Sequence, residues 1–352
     1  MFHRALILTT LLLTGSVVSL RAATTLPATS TQPATTPATL LTEPRTHDPS
    51  MIRDGNFYYV YSTGLGIQTK RSSDLLHWER LPPVFDHPPA WIPNDFPRAF
   101  YIWAPDLSFF NNQFHLYYCI SNFGKNRSII AFATSPTLDP ASPNYHWTDH
   151  GKVFESLPTN PYNAIDPAIT FDDTKTPWLT FGSFWDGIHL LRLSAATSLP
   201  DPADPTLYHL AARPNLRDDP IEAPCIIHRN NFYYLLVSFD YCCRGANSTY
   251  HMMIGRSEKI TGPYLDQTGK DMRQGGGSLL LAGDPTGRLR GPGGGILYHD
   301  TPNNRWLLVH HFYDANDRGM SKLQIRPITW SPDNWPIAGQ PLTDAPTTAT
   351  TK

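Results

Sequence analysis

Five segments of the chain share one pattern, and this repeat limits the possible folds more than any other feature. Each segment has a polar turn followed by an aromatic residue that opens a short run of β-branched and aromatic residues. The runs begin at Phe57, Phe114, Trp178, Phe232 and Trp306, at spacings of 57, 64, 54 and 74 residues. A repeat of this length with strand composition is typical of four-stranded sheets arranged around a common axis.

A second, more alternating segment follows each aromatic run, as expected for the next strand of a sheet. These segments are residues 66–72, 128–134, 187–193, 250–257 and 322–329. The 34 prolines and 16% charged residues exclude coiled coils and helical arrays, because proline removes a helical donor and clashes with the preceding turn. We therefore predict an all-β fold, a five-bladed β-propeller. A two-sheet sandwich or jelly roll is the alternative architecture, but neither predicts five similar units.

The two ends of the chain differ in composition from this repeated body. Residues 1–23 have the basic start, apolar stretch and small-residue end of a signal peptide. The alternative is a membrane anchor, but the apolar run is shorter than the ~20 residues that span a bilayer. Residues 24–43 and 341–352 are rich in Thr, Ala and Pro, which predicts flexible segments. Residues 44–340 remain for the propeller, and we expect secretion to the exterior or the periplasm.

The charge of the chain argues against charged polymeric partners. It has 28 basic and 30 acidic side chains, and they are scattered along the sequence. This distribution provides no electrostatic footprint for a nucleic acid or an anionic membrane. A polymeric partner is therefore expected to be uncharged, and we expect the protein to be a monomer.

Four cysteines are too few for a fold built on disulfides, and their spacing matches no zinc site. Cys119 and Cys225 lie in apolar, strand-like contexts, which predicts buried free thiols. Cys242 and Cys243 are adjacent. In an oxidising compartment they can bond to each other or to separate partners, and the sequence does not choose between these states.

Four acidic residues stand beside prolines just ahead of the first four aromatic runs. They are Asp48, Asp106, Asp166 and Glu222, which precede the runs by 9, 8, 12 and 10 residues. Any one such pair is ordinary turn composition, but four in register place the acids at the innermost strands, facing the central channel. Carboxyl groups that converge raise one another's pKa, so one can stay protonated while another is ionised. Paired acid and base cleavage of a glycosidic bond requires this combination.

Other residues near the predicted channel suit a small uncharged polyol, which needs flat aromatic faces, amides and hydroxyls. They are residues 122–124, 163–164, 183–185 and 239–241. The fifth repeat has no acid ahead of its aromatic run, but its strand ends in His310 and His311. Strand alternation turns only one of these histidines inward. An inward histidine is a hydrogen-bonding group, a single ligand to a hydrated ion, or simply a satisfied strand residue.

These residues resemble glycoside hydrolase family 43, in particular its endo-1,5-α-L-arabinanase branch. The similarity runs through the whole body, from His47-Asp48-Pro49-Ser50 to residues 330–336. It includes residues 103–106, 163–167, 181–188, 221–224, 242–245 and 255–257. The short acidic segments are typical of the family, and residues 183–185 and 242–243 narrow the resemblance to the arabinanase branch.

The resemblance implies inverting hydrolysis of internal α-1,5 bonds in arabinan or arabino-oligosaccharides. It implies that Asp48 is the general base, Glu222 the general acid, and Asp166 a third carboxylate that orients the acid and tunes its pKa. His311 matches a histidine that holds a hydrated metal ion, usually calcium, on the propeller axis. The residues that match substrate-binding stretches are Asp48, Gly124, Asn163, Ala164, Ile165, Asp166, Ser183, Phe184 and Trp185.

Two departures and two alternatives accompany this resemblance. Many relatives have His where this chain has Gly294, so the resemblance does not define the surroundings of the ion. Asp106 has no catalytic counterpart in the family, and we expect it to be structural. An exo-acting α-L-arabinofuranosidase or β-xylosidase on the same fold is an alternative activity, which depends on the depth of the cleft. A non-catalytic arabinan-binding propeller is less consistent with the sequence, because all three acids are present.

Overall fold

The computed structural model describes residues 40–92, 96 and 98–343. This part of the chain folds into five antiparallel sheets, each with four strands in sequential order, and one sheet carries an additional short strand at its inner edge. The predicted five-bladed β-propeller is therefore confirmed. The predicted signal peptide (1–23) and most of the predicted flexible segments (24–43 and 341–352) lie outside the described residues.

The first two blades contain nine strands. Blade 1, with the two-residue strand that leaves it to pair with blade 2, comprises β1 (Ser50–Asp54), β2 (Phe57–Ser62), β3 (Gly64–Leu65), β4 (Gln68–Ser72) and β5 (Glu79–Leu81). Blade 2 comprises β6 (Tyr101–Phe110), β7 (Gln113–Ser121), β8 (Ser128–Ser135) and β9 (Thr148–Ser156). Each predicted aromatic run lies in the second strand of its blade.

The remaining blades repeat this arrangement. Blade 3 comprises β10 (Ala168–Phe171), β11 (Pro177–Phe181), β12 (Ile188–Arg192) and β13 (Tyr208–Ala211). Blade 4 comprises β14 (Ile221–Arg229), β15 (Phe232–Phe239), β16 (His251–Ser257) and β17 (Ser278–Ala282). Blade 5 comprises β18 (Leu289–Asp300), β19 (Arg305–Asp314), β20 (Met320–Trp330) and β21 (Pro336–Ala338).

The helices of the described chain are single 3-10 turns. They are Gly245–Asn247, Met272–Gln274, Thr301–Asn303 and Ala315–Asp317. None of them has the length and apolar character needed to cross a membrane.

The core lies between neighbouring blades, and the second strand of each blade contributes to two parts of it. In β2, Tyr58 and Val60 pack with leucine and valine side chains of blade 5, whereas Tyr59 and Tyr61 pack with side chains of blade 2. A strand that is buried on both faces has a continuous run of apolar residues in its sequence, whereas a strand with one exposed face alternates apolar and polar residues. This double burial explains why the aromatic runs are the strongest signal in the sequence.

The segment ahead of blade 1 pairs with blade 5 and so connects the first blade to the last. Arg45 forms an antiparallel bridge with Lys322 of β20, and the Leu323 N–H donates to the Pro44 carbonyl at 3.0 Å. Upstream, Leu41 and Trp78 exchange two backbone hydrogen bonds of 2.9 Å. Leu41 lies in the segment that was predicted to be flexible, and in the structure it contacts blade 1.

Candidate active site

The inner strands begin with an unusual backbone conformation that sets the direction of the acidic side chains. The residue directly before each proline has a positive φ: 48° at Asp48, 36° at Ala104, 57° at Asp166 and 52° at Ala223. Such angles are costly for residues other than glycine and persist where the surrounding structure enforces them, often at functional sites. In β6 and β14 the strand register also shifts at this level, as in a β-bulge.

β-Bulges and residues with a positive φ change the direction of nearby side chains. Here they point the acidic side chains toward the propeller axis. A narrow cavity is lined by Asp48, Asp106 and Asp166 together with the prolines that accompany them. Glu222 lies directly before Ala223, which also lines this cavity, and it is buried. The structure thus brings the four predicted acids together at the channel.

Asp48 is held in its ionised form. Its Oδ2 lies 2.7 Å from His47 Nδ1 and accepts a hydrogen bond of 2.7 Å from the Thr63 hydroxyl. Burial raises the pKa of Asp48, but His47, His311 and Thr63 outweigh burial and lower this pKa to about 2. Since both of these hydrogen bonds reach Oδ2, Oδ1 is the oxygen left to act on a water molecule.

Glu222 has the opposite electrostatic character. Its side chain is 8% exposed, and its Oε2 accepts a hydrogen bond of 2.6 Å from the Ser183 hydroxyl. Burial raises the pKa of Glu222 to about 7, and the negative charge of Asp48 adds to this effect, while the bond from Ser183 opposes it. A carboxyl group with this pKa can carry a proton near neutral pH and donate it.

The two remaining channel acids are Asp166, which is half-buried, and Asp106, which is buried. Burial, Glu222 and Asp48 together raise the pKa of Asp166 well above its usual range, and its Oδ2 accepts a hydrogen bond of 3.1 Å from the Ala223 N–H. Burial raises the pKa of Asp106 to about 7. Asp106 accepts hydrogen bonds from the Ser50 hydroxyl (3.3 Å) and the Ile169 N–H (2.9 Å), so it joins three blades, as expected of a structural residue.

The residues predicted to contact substrate fall into two groups. Gly124 and Trp185 lie at the surface, and Trp185 is 38% exposed. Phe184 is half-buried beside Tyr241, with ring centroids 5.7 Å apart.

The second group is buried. Asn163 Oδ1 accepts a hydrogen bond of 2.6 Å from Ser128, while Ala164 and Ile165 belong to the core between blades 2 and 3. These three positions therefore shape the site through the backbone and packing.

His311 is fully buried and faces the same channel. Its Nδ1 accepts a hydrogen bond of 3.1 Å from the Asp48 N–H, and its ring stacks on His47 with centroids 4.0 Å apart. His310 faces the other side of β19, as strand alternation predicts. Burial and His47 lower the pKa of His311 well below its usual value, so its imidazole is neutral.

The surroundings of His311 fit a single ligand to a metal ion. Within the described chain, His311 Nε2 is buried without a hydrogen-bond partner. Donor atoms of His47, Asp48 and His311 lie within 4.8 Å of one another. A neutral imidazole whose Nδ1 accepts a hydrogen bond carries its proton on Nε2. Nε2 can therefore bind a metal ion only after this proton moves to Nδ1 and the bond from the Asp48 N–H is lost.

Gly294 provides the space that this cluster needs. Its φ is 52°, and a Cβ at this position would lie 2.5 Å from Asp48 Oδ1 and 2.7 Å from His311 Cε1. The glycine that replaces the histidine of many relatives is therefore in direct contact with the predicted base and the predicted metal ligand.

Three side chains of the site were missed in the sequence. His47 and Thr63 hold Asp48, and Tyr313 lies 2.8 Å from His47 through its hydroxyl. Tyr313 could have been found, because it lies two residues after His311 and so shares its strand face. Cys242 and Cys243, whose state the sequence left open, are bonded to each other, and Cys119 and Cys225 are buried free thiols.

A sequence profile of glycosyl hydrolases family 43 matches residues 41–336. The chain belongs to this family. Extracellular endo-α-(1→5)-L-arabinanase 1 of Bacillus subtilis (strain 168) is 44% identical over 295 residues, which cover 82% of this chain and 86% of the relative. Extracellular exo-α-(1→5)-L-arabinofuranosidase ArbA of Cellvibrio japonicus (strain Ueda107) is 43% identical over 301 residues, which cover 82% and 85%.

A solved structure with a bound oligosaccharide has the same fold as this chain. The α-L-arabinanase of Cellvibrio cellulosa complexed with arabinohexaose matches with a TM-score of 0.79 and 41% identity, over 84% of this chain and 96% of that one. The predicted family and enzyme class are confirmed: this chain is a family 43 glycoside hydrolase.

Proposed function

We propose that this protein is a secreted enzyme that cleaves internal α-1,5-L-arabinofuranosidic bonds of arabinan with inversion. The observation that carries the proposal is the contrast between two carboxyl groups at one site, the half-buried Asp48 and the buried Glu222. Asp48 has a pKa of about 2, and Glu222 has a pKa of about 7. Near neutral pH, one is an ionised base and the other can be a protonated acid, as inverting hydrolysis requires. The names of the two extracellular relatives support both the substrate and the secretion.

In this mechanism, Asp48 takes a proton from a water molecule on one face of the arabinofuranose ring. Glu222 donates its proton to the leaving glycosidic oxygen on the other side, and the water oxygen bonds to the anomeric carbon. Inversion places the two carboxyl groups ~6.5–9.5 Å apart to leave room for the water. We assign Asp166, the third carboxyl group, to orienting Glu222 and tuning its pKa. Burial and the charges of Glu222 and Asp48 raise the pKa of Asp166 itself.

We further propose that His311 holds one hydrated cation, calcium being the expected ion. Calcium takes most of its ligands as oxygen, so a single imidazole leaves the remaining positions to water. When bound, the cation supplies positive charge that favours ionised carboxylates nearby. His311 offers Nε2, which has no hydrogen-bond partner within the described chain. The cation binds there when the ring carries its proton on Nδ1, in place of the hydrogen bond that Nδ1 accepts from the Asp48 N–H.

The decisive test of the catalytic assignment is Glu222→Gln. This change removes the transferable proton but keeps the shape of the side chain, so hydrolysis of linear arabinan should fall at least ~100-fold while the thermal unfolding temperature is retained. Asp106→Asn is the matched control, because Asp106 is an equally buried channel acid that we assign to structure, and it should keep most of the activity. Near-normal turnover of Glu222→Gln would refute the assignment.

Inversion and the position of cleavage need separate measurements. NMR of the first product formed should show the configuration opposite to that of the substrate, and retention would exclude Asp48 as the base. An exo-acting enzyme is the second candidate, because the exo-acting relative is almost as similar as the endo-acting one. Product sizing on linear arabinan, branched arabinan and xylan decides between them: internal cleavage gives a ladder of oligomers, whereas cleavage from chain ends gives small products from the start.

A further inference from the structure

A chain of hydrogen bonds connects the adjacent cysteines to the predicted general base. The Cys243 N–H donates to the Tyr313 hydroxyl oxygen at 2.7 Å. Tyr313 lies 2.8 Å from His47 Nε2, and His47 Nδ1 lies 2.7 Å from Asp48 Oδ2. Because a backbone N–H can only donate, the Tyr313 oxygen accepts from Cys243, and its hydroxyl forms a second hydrogen bond with His47 Nε2. Asp48 is ionised, so His47 Nδ1 carries a proton and donates it to Asp48 Oδ2.

His47 is fixed by packing as well as by these hydrogen bonds. One face of its ring stacks on His311, with an angle of 22° between the planes. Cys243 Sγ lies 3.8 Å from Nε2. The orientation of His47, and with it the position of the Asp48 carboxylate, therefore depends on Tyr313 and on the cysteine pair.

The disulfide restricts the peptide that makes the first of these hydrogen bonds. Cys242 and Cys243 are bonded to each other, which closes a small ring around the peptide between them. Cys243 has a φ of 66°, a conformation that residues other than glycine rarely adopt. Without the ring, Cys243 is free to return to a negative φ, and its N–H would no longer point at Tyr313.

We propose that the Cys242–Cys243 disulfide is a redox-sensitive positioning element for the general base. This inference rests on the proposed function in taking Asp48 as the base. A dithiol reductant breaks the S–S bond with two electrons and two protons, which gives two cysteine thiols, and the reductant is oxidised to its own disulfide. Cys243 is exposed, so the bond can be reached from solvent. The reduced enzyme loses the fixed orientation of His47 and positions Asp48 less well.

The first experiment compares the oxidised and reduced enzyme on linear arabinan. Of the four cysteines in the chain, Cys119 and Cys225 are buried free thiols, so a reductant has one disulfide to act on. Reduction should lower kcat by about tenfold, the scale of one lost hydrogen bond, and leave KM nearly unchanged, because the change affects the base rather than sugar binding. Reoxidation should restore kcat.

Variants separate the backbone conformation from the sulfur atoms. Cys242→Ala/Cys243→Ala should have the low kcat of the reduced enzyme and should not respond to reductant. Cys242→Ala/Cys243→Gly should regain part of the activity, because glycine adopts a positive φ without steric cost. A response of the Ala/Ala variant to reductant would place the redox effect elsewhere and overturn the proposal.

A readout other than activity keeps this proposal distinct from the proposed function. The 15N signals of His47, identified by their loss in His47→Gln, report which ring nitrogen carries the proton, and they should change on reduction and in Tyr313→Phe. If the oxidised protein does not cleave arabinan but these signals respond, the proposed function fails and the positioning role stands. If the protein cleaves arabinan and neither kcat nor these signals change on reduction, the positioning role is wrong. If neither cleavage nor a response is seen, both are wrong.

Discussion

At the scale of single residues, the roles of the two main carboxyl groups follow from their hydrogen-bond donors. Asp48 interacts with His47 and Thr63, and these contacts outweigh the cost of burying its charge. Glu222 has one side-chain donor, Ser183, and here burial dominates. The same chemical group can therefore be an ionised base in one place and a protonated acid in another.

Ser183→Ala should move the alkaline limb of the pH–activity profile. The Ser183 hydroxyl stabilises the ionised form of Glu222 and so lowers its pKa. Removing the hydroxyl raises this pKa above its value of about 7, and Glu222 stays protonated to higher pH. Because activity is lost as Glu222 deprotonates, the alkaline limb of the pH profile of kcat/KM should shift to higher pH. The control Ser183→Thr keeps a hydroxyl, so its alkaline limb should lie at the same pH as in the wild type. A shift of the limb to lower pH in Ser183→Ala would contradict the view that the Ser183 hydroxyl lowers the pKa of Glu222.

The residues of the site were only partly predictable from the sequence. Asp48, Asp106, Asp166 and Glu222 were predicted to face the channel because each occupies the same place in a repeated unit. The catalytic roles of Asp48, Asp166 and Glu222 stay predictions. His47 and Tyr313 are separated by 266 positions and meet only because blade 1 closes against blade 5. No local pattern describes a contact of this kind, and it needs the folded ring.

At the scale of elements, the inner strand of blade 5 differs from the other four. It has no acid at its start, and its register shifts around Gly293. Three of its residues, Gly294, Gly295 and Ile296, line the channel cavity. The outermost strands escaped prediction because several are short, with three residues in β5 and in β21, and lie where only one face is packed.

Gly294→Ala should reduce activity more than its effect on stability would suggest. The added Cβ would lie 2.5 Å from Asp48 Oδ1, so either the carboxylate or the strand must move. Gly55→Ala is the matched control, because Gly55 has a similar φ of 56° and open space around it. Both changes should lower the free energy of unfolding by about 1 kcal/mol through backbone conformation. Only Gly294→Ala should lower kcat, and equal activities of the two variants would show that Gly294 does not support the site.

At the scale of the whole molecule, the ring must close between blades 1 and 5. A side-chain cluster around the buried Asp300 carboxylate makes this contact, in addition to the backbone pairing of residues 44–46 with blade 5. The carboxylate of Asp300, at the end of β18, accepts hydrogen bonds of 2.8 Å from Tyr58 of β2, from Asn303 and from Arg305. The repeat predicted the number of blades, but not how the last blade meets the first, because a repeated pattern does not specify which side chains of blades 1 and 5 contact each other.

Tyr58→Phe tests how much this closure contributes to stability. The change leaves the fully buried carboxylate of Asp300 with one donor fewer, and hydrogen bonds to charged groups contribute about 1.5–3 kcal/mol. Tyr117→Phe is the control, because its hydroxyl donates to the neutral Ser198 carbonyl at 2.9 Å, away from the closure, and should cost about 1 kcal/mol. Unfolding in urea gives both values. The cluster lies away from the residues assigned to catalysis, so kcat should be unchanged in both variants. If Tyr58→Phe lowers the free energy of unfolding less than Tyr117→Phe does, the closure depends on backbone pairing instead.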